Sequence, residues 1–185
     1  MIMLKKIVII GPESTGKSNL SEALANHYQT FWAKEFAREY LISRGREYTY
    51  GDLYTIAIGQ LENEKQVLEK AEALLSTEKR NVLPVFVDTD LYVIKVWSEF
   101  VYNQCDNRIL NLIASSNADL YLLCYPDLPW EEDALREYPD PAIRMKLFHH
   151  YRDAMINQDT PWVTITGEGS SRLQKAILAI DPLLQ

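Results

Sequence analysis

The chain has 185 residues, 47% hydrophobic and 24% charged, which is the balance of a globular protein with a sizeable core. Its net charge of −7 argues against a nucleic-acid partner, because phosphate backbones bind positive surfaces. No apolar stretch has the length of a membrane span or a signal peptide. Two cysteines without metal-ligand spacing fit a reducing compartment. We therefore expect a single cytoplasmic domain over residues 1–185, and the sequence leaves its oligomeric state open.

A phosphate-binding loop is predicted at residues 11–18, Gly-Pro-Glu-Ser-Thr-Gly-Lys-Ser, between the apolar run 7–10 and a helical pattern over 19–27. Gly11 and Gly16 allow a tight turn and leave no Cβ in the way of a phosphate. The loop N–H groups and the first helical turn then face the anion. We expect Lys17 to reach the β- and γ-phosphates of ATP, and the Ser18 hydroxyl to bind Mg²⁺. The predicted nucleotide-binding residues are Gly11, Glu13, Ser14, Thr15, Gly16, Lys17, Ser18 and Asn19.

Short apolar runs alternate with helical patterns along the rest of the chain. We predict strands at 5–10, 30–34, 82–87, 120–124 and 162–166. This alternation predicts an α/β fold, namely a phosphate-loop NTPase with a five-stranded parallel sheet flanked by helices. A helical lid is predicted between strands 4 and 5, over about 127–157, with two helices in the charged segment 131–157.

Asp88 follows the third predicted strand and is the candidate metal ligand. In phosphate-loop enzymes an aspartate at this point holds Mg²⁺ beside the loop serine, here Ser18. The alternative is that Asp88 caps the next helix, although Thr89 or Asp90 could do so equally well. Two carboxylates two residues apart exceed what one cap needs, which favours a metal or catalytic role for Asp88.

Glu35 ends the second predicted strand, at the edge where open parallel sheets bind their ligands. A carboxylate there can accept the proton of a substrate hydroxyl that attacks the γ-phosphate. Either Glu35 or Asp88 could be this base, and the sequence leaves the choice open. Arg38 could pair with Glu35 or Glu39 for purely structural reasons.

Arginines in the predicted lid are candidates for stabilising a transferred phosphoryl group. Arg136 and Arg144 are the two considered, and charge developing on the phosphoryl oxygens is what an arginine there would stabilise. The alternative, which the residues alone favour slightly, is a solvated helix face with Glu132 paired to Arg136. The aromatic residues that belong either to the core or to a ring-stacking site are Tyr40, Trp97 and Trp130.

Several motifs in a fixed order give the chain a family resemblance. They are the loop at 11–18, Glu35-Phe36-Ala37-Arg38-Glu39-Tyr40, Asp88-Thr89-Asp90, Trp97-Ser98-Glu99-Phe100, and Asp127-Leu128-Pro129-Trp130 with Asp133 and Arg136. With them, nearly the whole chain resembles the ribosylnicotinamide kinase domain of the NadR family. The resemblance implies a nucleoside-kinase-like fold and phosphorylation of nicotinamide riboside to nicotinamide mononucleotide with ATP and Mg²⁺. Family members often carry an adenylyltransferase domain before the kinase domain. Because the phosphate loop begins at residue 11 here, we expect the kinase domain alone.

The resemblance and the residues together define the predicted site. The predicted catalytic residues are Lys17, Glu35, Asp88 and Arg136, and Ser18 and Asp88 are the metal ligands. The predicted substrate-binding residues are Glu35, Arg38, Tyr40, Asp88, Thr89, Asp90, Trp97, Asp127 and Trp130. Fold analogy puts the turn at 167–170 near the adenine. A regulatory ATPase without an acceptor, and a kinase for another nucleoside, remain as alternatives; the first leaves Glu35, Asp90 and the cluster 127–130 unexplained.

Overall fold

Strands and helices alternate through the residues that the computed structural model describes, 3–45, 47–78 and 80–185. The strands are β1 (Met3–Ile10), β2 (Trp32–Ala33), β3 (Val82–Asp88), β4 (Leu120–Cys124) and β5 (Trp162–Ile165). The helices are α1 (Lys17–Tyr28), α2 (Phe36–Ser43), α3 (Asp52–Glu78), α4 (Leu91–Tyr102), α5 (Asn107–Ser115), α6 (Pro141–Ile156) and α7 (Gly169–Ile180), followed by a 3₁₀ turn at Asp181–Leu184. Among these helices, none combines the length and the apolar character needed to cross a membrane.

The strands form one parallel sheet in the order β2-β3-β1-β4-β5, which confirms the predicted α/β fold. The register places Ile9 beside Asp88 and Ile10 beside Leu123. Since parallel strands end at the same edge, the loop after β1, the residues after β3 and the chain leaving β4 all emerge together. The sheet thereby brings the phosphate loop and Asp88 to one edge.

The core lies on both faces of this sheet because alternate residues of β1 point to opposite sides. One layer packs against α1 and α7 and contains Ile7, Ile9, Leu24, Leu122, Ile177 and Ile180. The other packs against α4 and α6 and contains Val8, Ile10, Val96, Leu147, Phe148 and Met155. A strand that is covered on both sides needs the uninterrupted apolar sequence that β1 has.

Strand β2 is shorter than the predicted 30–34. Its ladder to β3 pairs Trp32 with Phe86 and Ala33 with Val87. Pro84 lies on β3 just before this ladder and has no N–H to donate, while its carbonyl is taken by the Thr30 hydroxyl at 2.8 Å. Pairing therefore begins only where Phe86 donates its N–H to the Phe31 carbonyl.

The segment between β4 and β5 differs from the predicted two-helix lid. Residues 127–140, which we name the strap, contain no helix, and only α6 follows. Prolines at positions 126, 129, 139 and 141 explain this, because each restricts the residue before it and lacks an N–H. Asp140 caps α6 by accepting the Ala142 N–H at 2.8 Å. Helix α6 buries Leu147, Phe148, Tyr151 and Met155, so it contributes to the core on one face of the sheet.

Candidate active site

The loop at 11–18 joins β1 to α1 with a glycine at each point where a side chain would not fit. Gly11 has a φ of 140°, and a Cβ there would lie 2.7 Å from the Cys124 carbonyl oxygen. Gly16 has a φ of 72°, in the left-handed region, and immediately precedes α1. The first N–H groups of α1 have no partner within the helix, so this junction is suited to bind an anion.

Lys17 and Thr15 both fold back onto the loop. The Lys17 ammonium donates to the Pro12 carbonyl at 3.0 Å, and the Thr15 hydroxyl donates to the same oxygen at 2.7 Å. Thr15 is fully buried, and both Thr15 and Lys17 are among the residues that line the cavity beside the loop. The ammonium is therefore held over the loop, where phosphate oxygens would offer it stronger, charged acceptors.

The structure distinguishes the two carboxylates that follow β3. Asp90 is the helix cap: its Oδ1 accepts the Tyr92 N–H at 2.9 Å, and its Oδ2 accepts the Tyr121 hydroxyl at 2.8 Å. Asp88 is 1% exposed, and its Oδ1 has no hydrogen-bond partner among the described residues. Capping is thus done by Asp90, and Asp88 is left with a buried oxygen that needs a ligand.

The electrostatics of Asp88 fit a divalent cation. Burial raises the pKa of Asp88 to about 6, and the nearby negative charge of Glu35 adds to this rise; Lys17 and the Ser18 side chain oppose it. A carboxylate that burial makes costly to ionise is stabilised by a bound cation. The Ser18 hydroxyl and the Asp88 carboxylate are hard oxygen donors of the type Mg²⁺ prefers, so these residues fit the predicted metal.

A cavity of about 460 Å³ extends from the loop into the space between α2, α3, α4 and the strap. Of the predicted site residues beyond the loop, it is lined by Glu35, Arg38, Thr89, Trp97 and Arg136. Tyr48 also lines it, and this residue was missed because it lies in the loop after α2, where no periodic pattern marks it. The Trp97 indole donates to the Tyr48 hydroxyl at 2.7 Å, and the Trp97 ring lies 5.6 Å from Tyr138. Trp97 and Tyr48 thereby form an aromatic part of the cavity wall, which we name the aromatic end.

Five predicted substrate contacts do not line this cavity: Tyr40, Asp88, Asp90, Asp127 and Trp130. The Tyr40 hydroxyl donates to Asp52, and the Trp130 ring lies 5.9 Å from the Arg144 guanidinium. Asp90 is 2% exposed, with both oxygens bound as described above. The arrangement does not support substrate contacts by these residues, and Asp127 instead binds Arg172 and Gly167. Sequence order could not show this, because all five lie near residues that do face the cavity.

The arginines contact other partners than the sequence predicted. Arg38 pairs with Asp133 of the strap, with 2.6 Å between Nη2 and Oδ2, rather than with Glu35 or Glu39. The Arg136 guanidinium donates to the Ser14 hydroxyl at 3.3 Å and to the Glu131 carbonyl, so it does not form the predicted helical pair with Glu132.

Arg144 is buried and donates to the carbonyls of Ser14, at 2.9 Å, and of Leu128, at 3.2 Å. It therefore ties α6 to the phosphate loop and to the strap. Both arginines contact Ser14, but only Arg136 lines the cavity.

The phosphate loop itself holds the strap in place. The Glu13 carboxylate accepts the backbone N–H groups of Glu137, at 3.1 Å, and of Tyr138. The Ser14 hydroxyl donates to the Pro129 carbonyl at 3.3 Å and accepts the Glu131 N–H at 3.1 Å. Glu13 and Ser14, two of the four loop positions with no fixed residue in the motif, thus fasten the segment that carries Arg136.

We expect Glu13→Ala to release the strap without unfolding the sheet. Two backbone N–H groups would lose a charged acceptor, and hydrogen–deuterium exchange at Glu137 and Tyr138 should accelerate about tenfold or more. The exposed strap residue Glu132 provides the control variant, Glu132→Ala, which should leave this exchange unchanged. Unaltered exchange at both N–H groups in Glu13→Ala would contradict the fastening role.

The parallel sheet, the loop at 11–18 and the cavity at the carboxyl edge define a phosphate-loop NTPase with the fold of nucleoside and nucleotide kinases. A family model described as an AAA domain, AAA_28, matches residues 6–172, and the chain belongs to this family.

Two curated relatives are NadR proteins, each called "Trifunctional NAD biosynthesis/regulator protein NadR". The protein of Salmonella typhimurium is 28% identical over 160 residues, which cover 84% of this chain and 36% of the relative. The protein of Escherichia coli is 29% identical over 137 residues, which cover 72% of this chain and 31% of the relative. The chain thus spans about a third of the length of the relatives it matches.

Solved structures of low identity share the fold. A NadR protein in complex with NR superposes with a TM-score of 0.79 at 22% identity, covering 97% of this chain and 51% of that one. Thymidylate kinase from Ehrlichia chaffeensis superposes with a TM-score of 0.62 at 13% identity, covering 98% of this chain and 99% of that one. Deoxyadenosine kinase from M. mycoides superposes with a TM-score of 0.58 at 15% identity, covering 96% of this chain and 99% of that one. The predicted kinase-like fold and the NadR resemblance are confirmed.

Proposed function

We propose that the chain is an ATP-dependent kinase that phosphorylates nicotinamide riboside on its 5′-hydroxyl and yields nicotinamide mononucleotide, a step of NAD biosynthesis. The observation that carries the proposal is one cavity that holds a phosphate loop, the carboxylate Glu35 and an aromatic end formed by Trp97 and Tyr48. The NadR relatives, and a NadR protein of the same fold solved with NR, support the choice of acceptor.

The donor half of the reaction is assigned to the loop. Its backbone N–H groups and Lys17 bind the ATP phosphates, and Arg136, fastened to Ser14, stabilises charge on the transferred phosphoryl group. Ser18 and Asp88 would hold Mg²⁺, which when bound would neutralise negative charge on the ATP phosphates. The buried, unpartnered oxygen of Asp88 supports this assignment.

The geometry favours Glu35 over Asp88 as the base. Glu35 lines the cavity, whereas Asp88 is 1% exposed and is not among the lining residues. Glu35 also directly precedes α2, whose first turn fixes its backbone at the edge of β2. We infer that Glu35 accepts the proton of the 5′-hydroxyl as that oxygen attacks the γ-phosphate.

The acceptor half is assigned to the aromatic end of the cavity. The faces of Trp97 and Tyr48 attract cations, and the Glu35 carboxylate lines the same cavity. A positively charged pyridinium ring is stabilised in such surroundings more than a neutral base is. The free thiols of Cys105 and Cys124 agree with a cytoplasmic, reducing location for such an enzyme.

The test is a comparison of kcat/KM for nicotinamide riboside, uridine, cytidine and adenosine at one Mg²⁺–ATP concentration. We expect nicotinamide riboside to be preferred by at least about tenfold, since a desolvated cation–π contact contributes roughly 2 kcal/mol. Trp97→Leu keeps an apolar side chain without a π face and should reduce this preference. Equal values, or a preference for an ordinary nucleoside, would contradict the acceptor assignment. ATP hydrolysis that no nucleoside stimulates would support a regulatory ATPase instead.

A further inference from the structure

Asp127 lies outside the cavity, in a network around the buried side chain of Arg172. The Asp127 carboxylate accepts the Gly167 N–H at 2.6 Å and an Arg172 N–H at 2.8 Å. The same guanidinium donates to the carbonyls of Thr15, at 2.9 Å, of Tyr125, at 3.0 Å, and of Gly167. One side chain of α7 thus joins the phosphate loop, the end of β4 and the turn after β5.

The turn that this network holds borders the loop end of the cavity. Glu168 follows Gly167 and lines the cavity together with the phosphate loop. A nucleotide with its phosphates on the loop has its γ-phosphate toward Glu35 and the acceptor. We infer that its base extends away from the acceptor, toward Glu168, which the turn after β5 contributes to the cavity wall.

We propose that Asp127 and Arg172 are a positioning pair for the donor nucleotide, which holds the turn at 167–169 at a fixed place relative to the phosphate loop. The pair contacts no substrate itself. It acts through Gly167 and Thr15, whose backbones it binds directly. Gly167 has a φ of 92°, a conformation that a hydrogen bond to its N–H helps to select. The proposal rests on the proposed ATP site and assigns Asp127 to the donor rather than to the acceptor.

Two properties of the pair suit this role. Arg172 is 4% exposed and presents its N–H groups as a rigid fork, so four acceptors in three segments are fixed by one planar group. Asp127 completes the network from the strap, which also carries Arg136. Movement of the strap therefore changes the turn at 167–169 as well as the position of Arg136.

The experiment is a titration of the protein with Mg²⁺–ATP by calorimetry, in the absence of any nucleoside, for the wild type, Asp127→Asn and Arg172→Lys. We expect Kd for ATP to rise about tenfold in Asp127→Asn, because the Gly167 N–H and the guanidinium lose a charged acceptor. In a separate turnover assay of Asp127→Asn, KM for the nucleoside should change by less than about twofold. The rise in Tm caused by saturating ATP should shrink in parallel, which separates positioning from a general loss of stability.

Asp119→Asn is the matched control. Asp119 also accepts one cation and one backbone N–H, from Lys5 at 2.9 Å and Lys6 at 2.8 Å, and its side chain is similarly exposed. It lies before β4, at the opposite edge of the sheet, so Kd for ATP should stay at the wild-type value.

The outcomes separate this proposal from the proposed function. Unchanged ATP binding in Asp127→Asn, or an equal loss in Asp119→Asn, would overturn the pairing role. A raised nucleoside KM in Asp127→Asn with unchanged ATP binding would contradict the proposal and would support the original prediction that Asp127 binds the acceptor. A wild type that binds ATP but does not phosphorylate nicotinamide riboside would refute the acceptor assignment alone.

Discussion

Replacing Lys17 with alanine is expected to lower kcat by about a thousandfold, since loss of one charged group aimed at the transition state costs on this order. The Lys17 ammonium donates a hydrogen bond to the Pro12 carbonyl and the side chain lines the cavity, so it contributes little to the core. Tm should therefore change by only a few degrees. Turnover and thermal melting are measured on the same preparation, because only their combination separates catalysis from folding.

Lys34→Ala is the control for this experiment. Lys34 is exposed and directly precedes Glu35, so its removal takes the same charge from the neighbourhood of the site without touching the loop. We expect wild-type turnover within about twofold, because exposed charges are strongly screened. Near-normal turnover in Lys17→Ala would remove the loop lysine from the mechanism.

Asp88→Asn is expected to reduce Mg²⁺-dependent turnover by about a hundredfold or more while ATP binding changes little. The amide preserves the shape of the carboxylate but removes the charge that a divalent cation requires. Activity is titrated with Mg²⁺ at saturating ATP, and the apparent Mg²⁺ affinity should fall together with kcat. Wild-type behaviour in this titration would contradict the metal assignment.

The same substitution should stabilise the Mg²⁺-free protein at neutral pH. The pKa of Asp88 in the fold, about 6, exceeds its ordinary value of 3.8 because of burial and Glu35. Ionisation of Asp88 is therefore less favourable in the folded than in the unfolded protein. The wild type consequently loses stability as the pH rises from about 4 to about 6. Asp88→Asn avoids this cost and should be more stable at pH 7.5 by roughly 1 to 3 kcal/mol, with no difference below pH 4. Denaturant unfolding at both pH values measures the effect.

Asp90→Asn is the matched control two residues away. Asp90 is equally buried, but both of its oxygens have protein donors, Tyr92 and Tyr121. An asparagine can keep the helix cap but places an amide group in one carboxylate position. We therefore expect altered stability in Asp90→Asn but, unlike in Asp88→Asn, an unchanged Mg²⁺ dependence of turnover.

Features that depend on a few neighbouring residues were predictable from the sequence. The phosphate loop is specified by Gly11, Gly16 and the apolar strand before them, because the backbone conformation there excludes side chains. Strand β4 was predicted with its observed bounds, Leu120–Cys124, since a short apolar run covered on both faces has no competing periodicity. The parallel sheet followed from the alternation of such runs with helices.

Features that depend on which segments meet were decided only by the tertiary structure. The sequence favoured Asp88 as the metal ligand but left the helix cap open between Asp88, Thr89 and Asp90. Only the approach of Tyr121 and the first turn of α4 makes Asp90 the cap, while Oδ1 of Asp88 has no hydrogen-bond partner among the described residues. Asp127 and Arg172 are 45 positions apart, and their pairing required β4 and β5 to be neighbours. A carboxylate accepts any donor that the fold brings within reach, so its partner is not a property of the local sequence.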